Sequence, residues 1–145
     1  MEIQEVMSQI DEQRKEQDAV YHNMAVKFGL SDTAMMILYF AADQRSTVTQ
    51  QEVCNACFVP KQTVNTAIAG LVQKGLVELK LIPGTRNKKR ILLTEKGWHL
   101  AENTTEKLRA AELRAYGRLS EEELQSFLDM TRRLTVGLRE ETEKI

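Results

Sequence analysis

Two stretches that read as helices stand only three residues apart, and that short join constrains the fold more than any other feature. The first, TQQEVCNAC, opens with Thr49 and Glu52 at the S/T-x-x-E spacing of a capping box, which predicts a short helix over 50–57. The second, KQTVNTAIAGLVQKG, sets Val64, Ala67, Ile68, Leu71 and Val72 at i, i+3, i+4, i+7 and i+8, a helix with one buried face. Phe58-Val59-Pro60 connects them. Pro60 falls near the first turn, where the N–H it lacks has no helical partner. Gly75 stands where a left-handed residue ends such a helix.

LVELKLI follows, alternating apolar and polar residues as a strand does. Pro83-Gly84 opens a turn, GTRNKKR makes a basic tip, and RILL returns as a second strand. A tightly joined helix pair followed by a hairpin with a basic tip is a winged helix-turn-helix. The fold class predicted is mainly α with a small β-hairpin.

The first turn of the second helix carries Lys61, Gln62, Thr63, Asn65 and Thr66 on its polar side, and only Lys61 is charged. A face meant only for water usually carries more Glu and Lys. Amides such as Gln62 and Asn65 pair bidentately with adenine, and hydroxyls such as Thr63 and Thr66 pair with several bases. A helix-turn-helix presents this turn to base edges in the major groove. Lys61 and the helix N-terminus favour phosphate. The wing supplies further positive charge through Arg86, Lys88, Lys89 and Arg90, with Asn87 among them. An arginine at such a tip can enter a narrow minor groove. Double-stranded DNA is therefore the expected partner.

The charge distribution agrees. The chain's net charge is −1, yet residues 59–97 hold eight basic and two acidic groups. Acidic segments flank this block on both sides. A localised basic block on a near-neutral protein fits an anionic surface, nucleic acid above all.

Long helices are predicted around the central segment. Residues 2–28 carry one apolar patch at Ile3, Val6, Met7 and Ile10 and another at Val20, Tyr21, Met24 and Phe28, with Gly29 as the stop. So broken a stripe needs a large surface to pack on. Ser31 caps DTAMMILYFAAD, apolar on nearly all sides and so central to a core. Thr94 caps one long helix, about 95–116, with a stripe of mostly small residues at Gly97, Ala101, Thr104, Leu108, Ala111 and Ala115. A capping box at Ser120 and Glu123 starts a last helix over about 121–143, with Leu124, Phe127, Leu128, Thr131, Leu134 and Leu138 on one face.

The pieces LSDTAMMILYFAA, TQQEVCNAC, KQTVNTAIAGLVQKGLVE and above all RILLTEKGWHLAE resemble the MarR family of bacterial transcription regulators. The resemblance runs over essentially the whole chain. It implies a homodimer on a short palindromic operator, usually a repressor, often released by a small molecule or by oxidation. It implies that residues 1–29 and 98–145 form the dimerisation region and 30–97 the DNA-binding domain. It also implies an effector region between the first, second and fifth helices, where Tyr21, Met24, Phe28, Met35, Tyr39 and Trp98 could line a pocket. Ordinary core packing is the simpler account of those six. Two departures stand out. Many members carry Asp-x-Arg in the wing, where this chain has Thr85 and Asn87, with Arg86 one place off. Phe58 replaces a common turn glycine.

Other chemistries find little support. Cys54 and Cys57 form a C-x-x-C, read first as small core residues. A redox response is the alternative, and a winged-helix module for a protein partner is another. His22 and His99 lie far from the cysteines in sequence, so no metal site is predicted. No nucleophile–base constellation, Gly-rich phosphate loop or cofactor motif points to an enzyme. The acidic, amphipathic start and the lack of a long apolar run predict a cytoplasmic protein without a membrane span.

Overall fold

A computed structural model describes residues 1–43 and 48–145. The element order is α1 (Ile3–Phe28), α2 (Asp32–Ala41), α3 (Gln50–Cys57), α4 (Lys61–Gln73), β1 (Val77–Leu81), β2 (Lys89–Leu93), α5 (Glu95–Asn103), α6 (Thr105–Tyr116) and α7 (Glu121–Thr142). The chain divides into two compact units, Met1–Leu108 and Arg109–Ile145. Among the described residues, no single helix is long and apolar enough to cross a membrane.

Local chemistry sets the boundaries. Gly29 closes α1 in the left-handed region at φ 69°. The Ser31 hydroxyl accepts from the Ala34 N–H. Thr49 and Glu52 exchange both capping-box bonds, as do Ser120 and Glu123. β1 and β2 pair antiparallel from Val77↔Leu93 to Leu81↔Lys89.

In the first unit, Ile37 and Leu38 of α2, Val53 of α3, and Val64, Ile68 and Leu71 of α4 bury their side chains together with Val77 and Ile91 of the hairpin. The apolar stripe of α4 is therefore the face that fixes this helix, and its opposite face is left outward. Residues just before α3 also pair with β2. Thr49 bridges Arg90, and the Ile91 N–H donates to the Val48 carbonyl at 2.9 Å. The wing is thus tied to the start of α3 as well as to its own hairpin partner.

The single helix expected over 95–116 is instead two, broken at Thr104, whose φ and ψ are −131° and −88°. Asn103 Nδ2 donates to the His99 carbonyl at 2.8 Å, and Thr104 Oγ1 donates to the Leu100 carbonyl at 2.7 Å. Side chains bonding back four residues compete with the helix ladder and bend it. The small-residue stripe also serves a different purpose at its start. Gly97, Ala101, Thr104 and Leu108 are buried in the chain's own first unit rather than left open for a partner.

In the second unit, α7 has no buried residue. Phe127, Leu128, Leu134 and Leu138 lie on its surface, between 42% and 56% exposed.

Candidate nucleic-acid interface

The outward face of α4 is the centre of the site. Lys61, Gln62, Thr63, Asn65 and Thr66 are all exposed, while Val64 and Ile68 between them are buried. The helix period of 3.6 enforces that division. α2, α3, α5 and α7 each have a side-chain cap, but α4 starts at Pro60 without one. Its first-turn N–H groups remain available to an anion.

The wing comes up beside this helix. Lys61 and Asn65 share a cleft of about 430 Å³ with Asn87, Lys88 and Lys89. Thr49, Gln50, Gln51 and Cys54 of the α3 segment complete its lining, and no acid contributes to it. On the other flank of α4, Gln62, Thr63 and Thr66 border a hollow of about 600 Å³ with Pro60, Ser31 and Thr33. Gln50, Gln51 and Thr33 have no role assigned by the sequence reading. Gln50-Gln51 carried the same signal as α4, uncharged amides in a first turn, at lower density.

The wing tip is stiffened by its own hydrogen bonds. The Ile82 N–H donates to the Lys88 carbonyl at 2.8 Å, extending the hairpin past the named strands. Thr85 Oγ1 donates to the Ile82 carbonyl at 2.7 Å. A neutral hydroxyl therefore ties this turn. Gly84, at φ 80°, makes the turn that carries Arg86 and Asn87 outward, both exposed. Arg90 is placed differently. It sits half-buried within β2 opposite Lys80, and its Nε, shielded from solvent, has no hydrogen-bond partner among the described residues.

The base of the wing is locked to α5 by Leu93, Thr94 and Gly97. The Thr94 hydroxyl donates to the Gly75 carbonyl at 2.6 Å and accepts from the Gly97 N–H at 3.0 Å. Lys96 Nζ donates to the Lys74 carbonyl at 2.8 Å. A Cβ on residue 97 would overlap the Leu76 carbonyl oxygen, so glycine is required there.

Five of the six residues considered for an effector pocket do meet. Tyr21, Met24, Phe28 and Tyr39 pack around buried Met35, with Ala25 and Leu108. Trp98 lies apart, bordering a hollow of about 680 Å³ with Thr94, Lys96, His99 and Glu102. Gly97 must face Leu76, and the next helical residue points about 100° away from it. His22 Nδ1 pairs with Asp32 Oδ1 at 2.9 Å, linking α1 to α2 at the surface. Cys54 and Cys57 are both partly buried, and burial together with nearby Cys54 pushes the Cys57 thiol up. No group of three His, Cys, Asp or Glu side chains is placed to hold a metal ion among the described residues.

These features define a winged helix with an exposed, amide- and hydroxyl-bearing helix face and a basic wing. Residues 28–86 match the sequence profile of the MarR family. Over that segment the chain is similar to the MarR family, and the fold agrees. Solved structures with the same fold include a MarR family regulator from Neisseria meningitidis (TM-score 0.78, 21% identity, 96% of this chain and 98% of that one). MepR of Staphylococcus aureus in complex with DNA is similar too (TM-score 0.61, 21% identity, 95% and 98%). So is Staphylococcus aureus MarR in complex with salicylate and kanamycin (TM-score 0.68, 16% identity, 95% and 93%). No curated protein matches the sequence.

Proposed function

We propose that this chain is a non-enzymatic, sequence-specific DNA-binding regulator that acts as a homodimeric repressor on a palindromic operator. One observation carries the reading: Asn65 and Lys61, from the exposed face of α4, line the same acid-free cleft as the wing residues Lys88 and Lys89. Base-reading groups and phosphate-binding groups are thereby set side by side, the division of labour that a specific protein–DNA contact needs. Gln62, Thr63, Asn65 and Thr66 read bases. Lys61, Arg86, Lys88 and Lys89 bind phosphate or the minor groove, with Asn87 and Arg90 in support.

The homodimer is supported by the apolar face of α7, where Phe127, Leu128, Leu134 and Leu138 are exposed, and by exposed Ile3, Met7 and Ile10 of α1. An effector is supported by the aromatic and methionine cluster around Met35, and by the salicylate complex of the staphylococcal protein. Small aromatic molecules fit that chemistry, since methionine linings adapt to varied shapes. A second reading, thiol control, is favoured by one observation: Cys54 lines the cleft that holds Lys61 and Asn65.

Fluorescence anisotropy tests the proposal. Duplex enriched by the protein from a random-sequence library is compared with shuffled duplex across a salt series. Selective binding with a steep salt dependence is expected, and binding that ignores sequence would overturn the reading. Repeating the titration with thiol-oxidised protein, and with Cys54→Ser, decides the second reading.

A further inference from the structure

Phe58 is the most exposed large apolar residue among those described outside the chain's two end residues, at 94%. It is also the only non-glycine residue with positive φ among those described, at 49°. Both properties are unfavourable. A bulky residue in the left-handed region is strained, where glycine or asparagine adopts it readily. A phenyl ring left in water returns nothing for that strain, since it gains no apolar burial within the chain. Strain of this kind persists where the side chain has work outside the fold.

Its place suggests the partner. Phe58 caps α3 in the turn to α4, with only Val59 and Pro60 before Lys61. The three steps to Lys61 span at most about 11 Å of chain, so residue 58 stands next to the exposed face of α4. The chain from Val53 through Val77 contains no Asp or Glu, so nothing acidic near the turn in sequence opposes a polyanion. A protein partner would more usually be met by charges of both signs around an aromatic anchor.

We infer that Phe58 is a DNA-contacting residue that lays its ring against the deoxyribose face of the backbone at the edge of the major groove. The inference rests on the DNA-binding reading above. Such a contact releases no counterion, so its contribution is independent of salt, unlike that of the wing cations. It makes the strained turn part of the interface: stability is given up at residue 58 for a contact formed only in the complex.

The test uses full-length protein and the duplex enriched by the wild type. Phe58→Asn and Phe58→Gly both relieve the left-handed strain, and asparagine does so without glycine's added flexibility. Both variants are expected to melt at higher temperature than the wild type. Both are expected to bind the enriched duplex about five- to tenfold more weakly, with an unchanged slope of log K against log salt. Phe58→Tyr, which keeps the ring, should bind within about twofold of wild type. Phe58→Asn binding as tightly as wild type would overturn the inference while leaving the DNA reading intact. A reduced salt slope would overturn it too, since the loss would then be electrostatic. A wild type that selects no duplex would remove both.

Discussion

Asn65 and Arg86 lie on different elements, and the contacts proposed for them with a duplex differ in kind. Asn65 is exposed on the first turns of α4, where an amide can donate to and accept from one adenine edge. Asn65→Ala is expected to lose about 1–3 kcal/mol on the enriched duplex and little on shuffled DNA. Anisotropy on both duplexes measures this, and an equal loss on each would make Asn65 a positioning contact. Arg86 is exposed at the wing tip, carried outward by the turn at Gly84. Its charge acts on DNA of any sequence. Arg86→Ala is expected to weaken both duplexes alike and to reduce the magnitude of the salt slope by about one. An unchanged slope would take Arg86 out of the interface. The exposure of these two residues was legible, because one lies on the polar side of an amphipathic helix and the other at a turn. That of Arg90 was less so. It belongs to the same basic run, but the pairing register puts it within β2, half-buried, and register is set by the hairpin's partners rather than by composition.

At the scale of elements, the hydrogen-bonding ends of helices were the best-specified features. Ser31, Thr49, Thr94 and Ser120 all cap, because a short hydroxyl beside an apolar run has few better partners than the free N–H groups of a first turn. The break at Thr104 was hidden. In the sequence Asn103 and Thr104 look like ordinary helix residues, but their side chains turn back onto carbonyls one turn earlier, a choice made by packing. The stripe from Gly97 to Leu108 had the spacing of a helix seam, and spacing alone cannot say which surface fills it. The answer lies at Gly97, pressed against the Leu76 carbonyl where the wing meets α5. Gly97→Ala is therefore expected to destabilise the fold by about 3 kcal/mol, because backbone rather than a flexible side chain must give way. Urea denaturation followed by circular dichroism gives the value. A loss below about 1 kcal/mol would show that α5 shifts freely relative to the wing.

At the scale of the whole molecule, the largest consequence lies in the exposed apolar residues of α7. Phe127, Leu128, Leu134 and Leu138 recur on one face of α7 at helical spacing, and each is at least 42% exposed. A contiguous apolar face of this kind, on an otherwise charged helix, marks an association surface. The same residues define the stripe visible in the sequence, so the face could be read in advance; which copy or partner covers it could not. If a second copy does, two reading helices act on one duplex, and their half-sites fall about one helical turn apart. The duplex enriched by the protein should then be a palindrome. Leu134→Lys places a charge at the centre of the face and should yield a monomer by sedimentation velocity, with the helical content of the wild type. The DNA measurement then carries the argument further. A monomer touches one half-site, so it should neutralise about half as many phosphates and show about half the wild-type salt slope. A variant that keeps the wild-type mass would show that α7 is not the dimer seam. A monomer with the full slope would mean that all the phosphate contacts come from a single subunit.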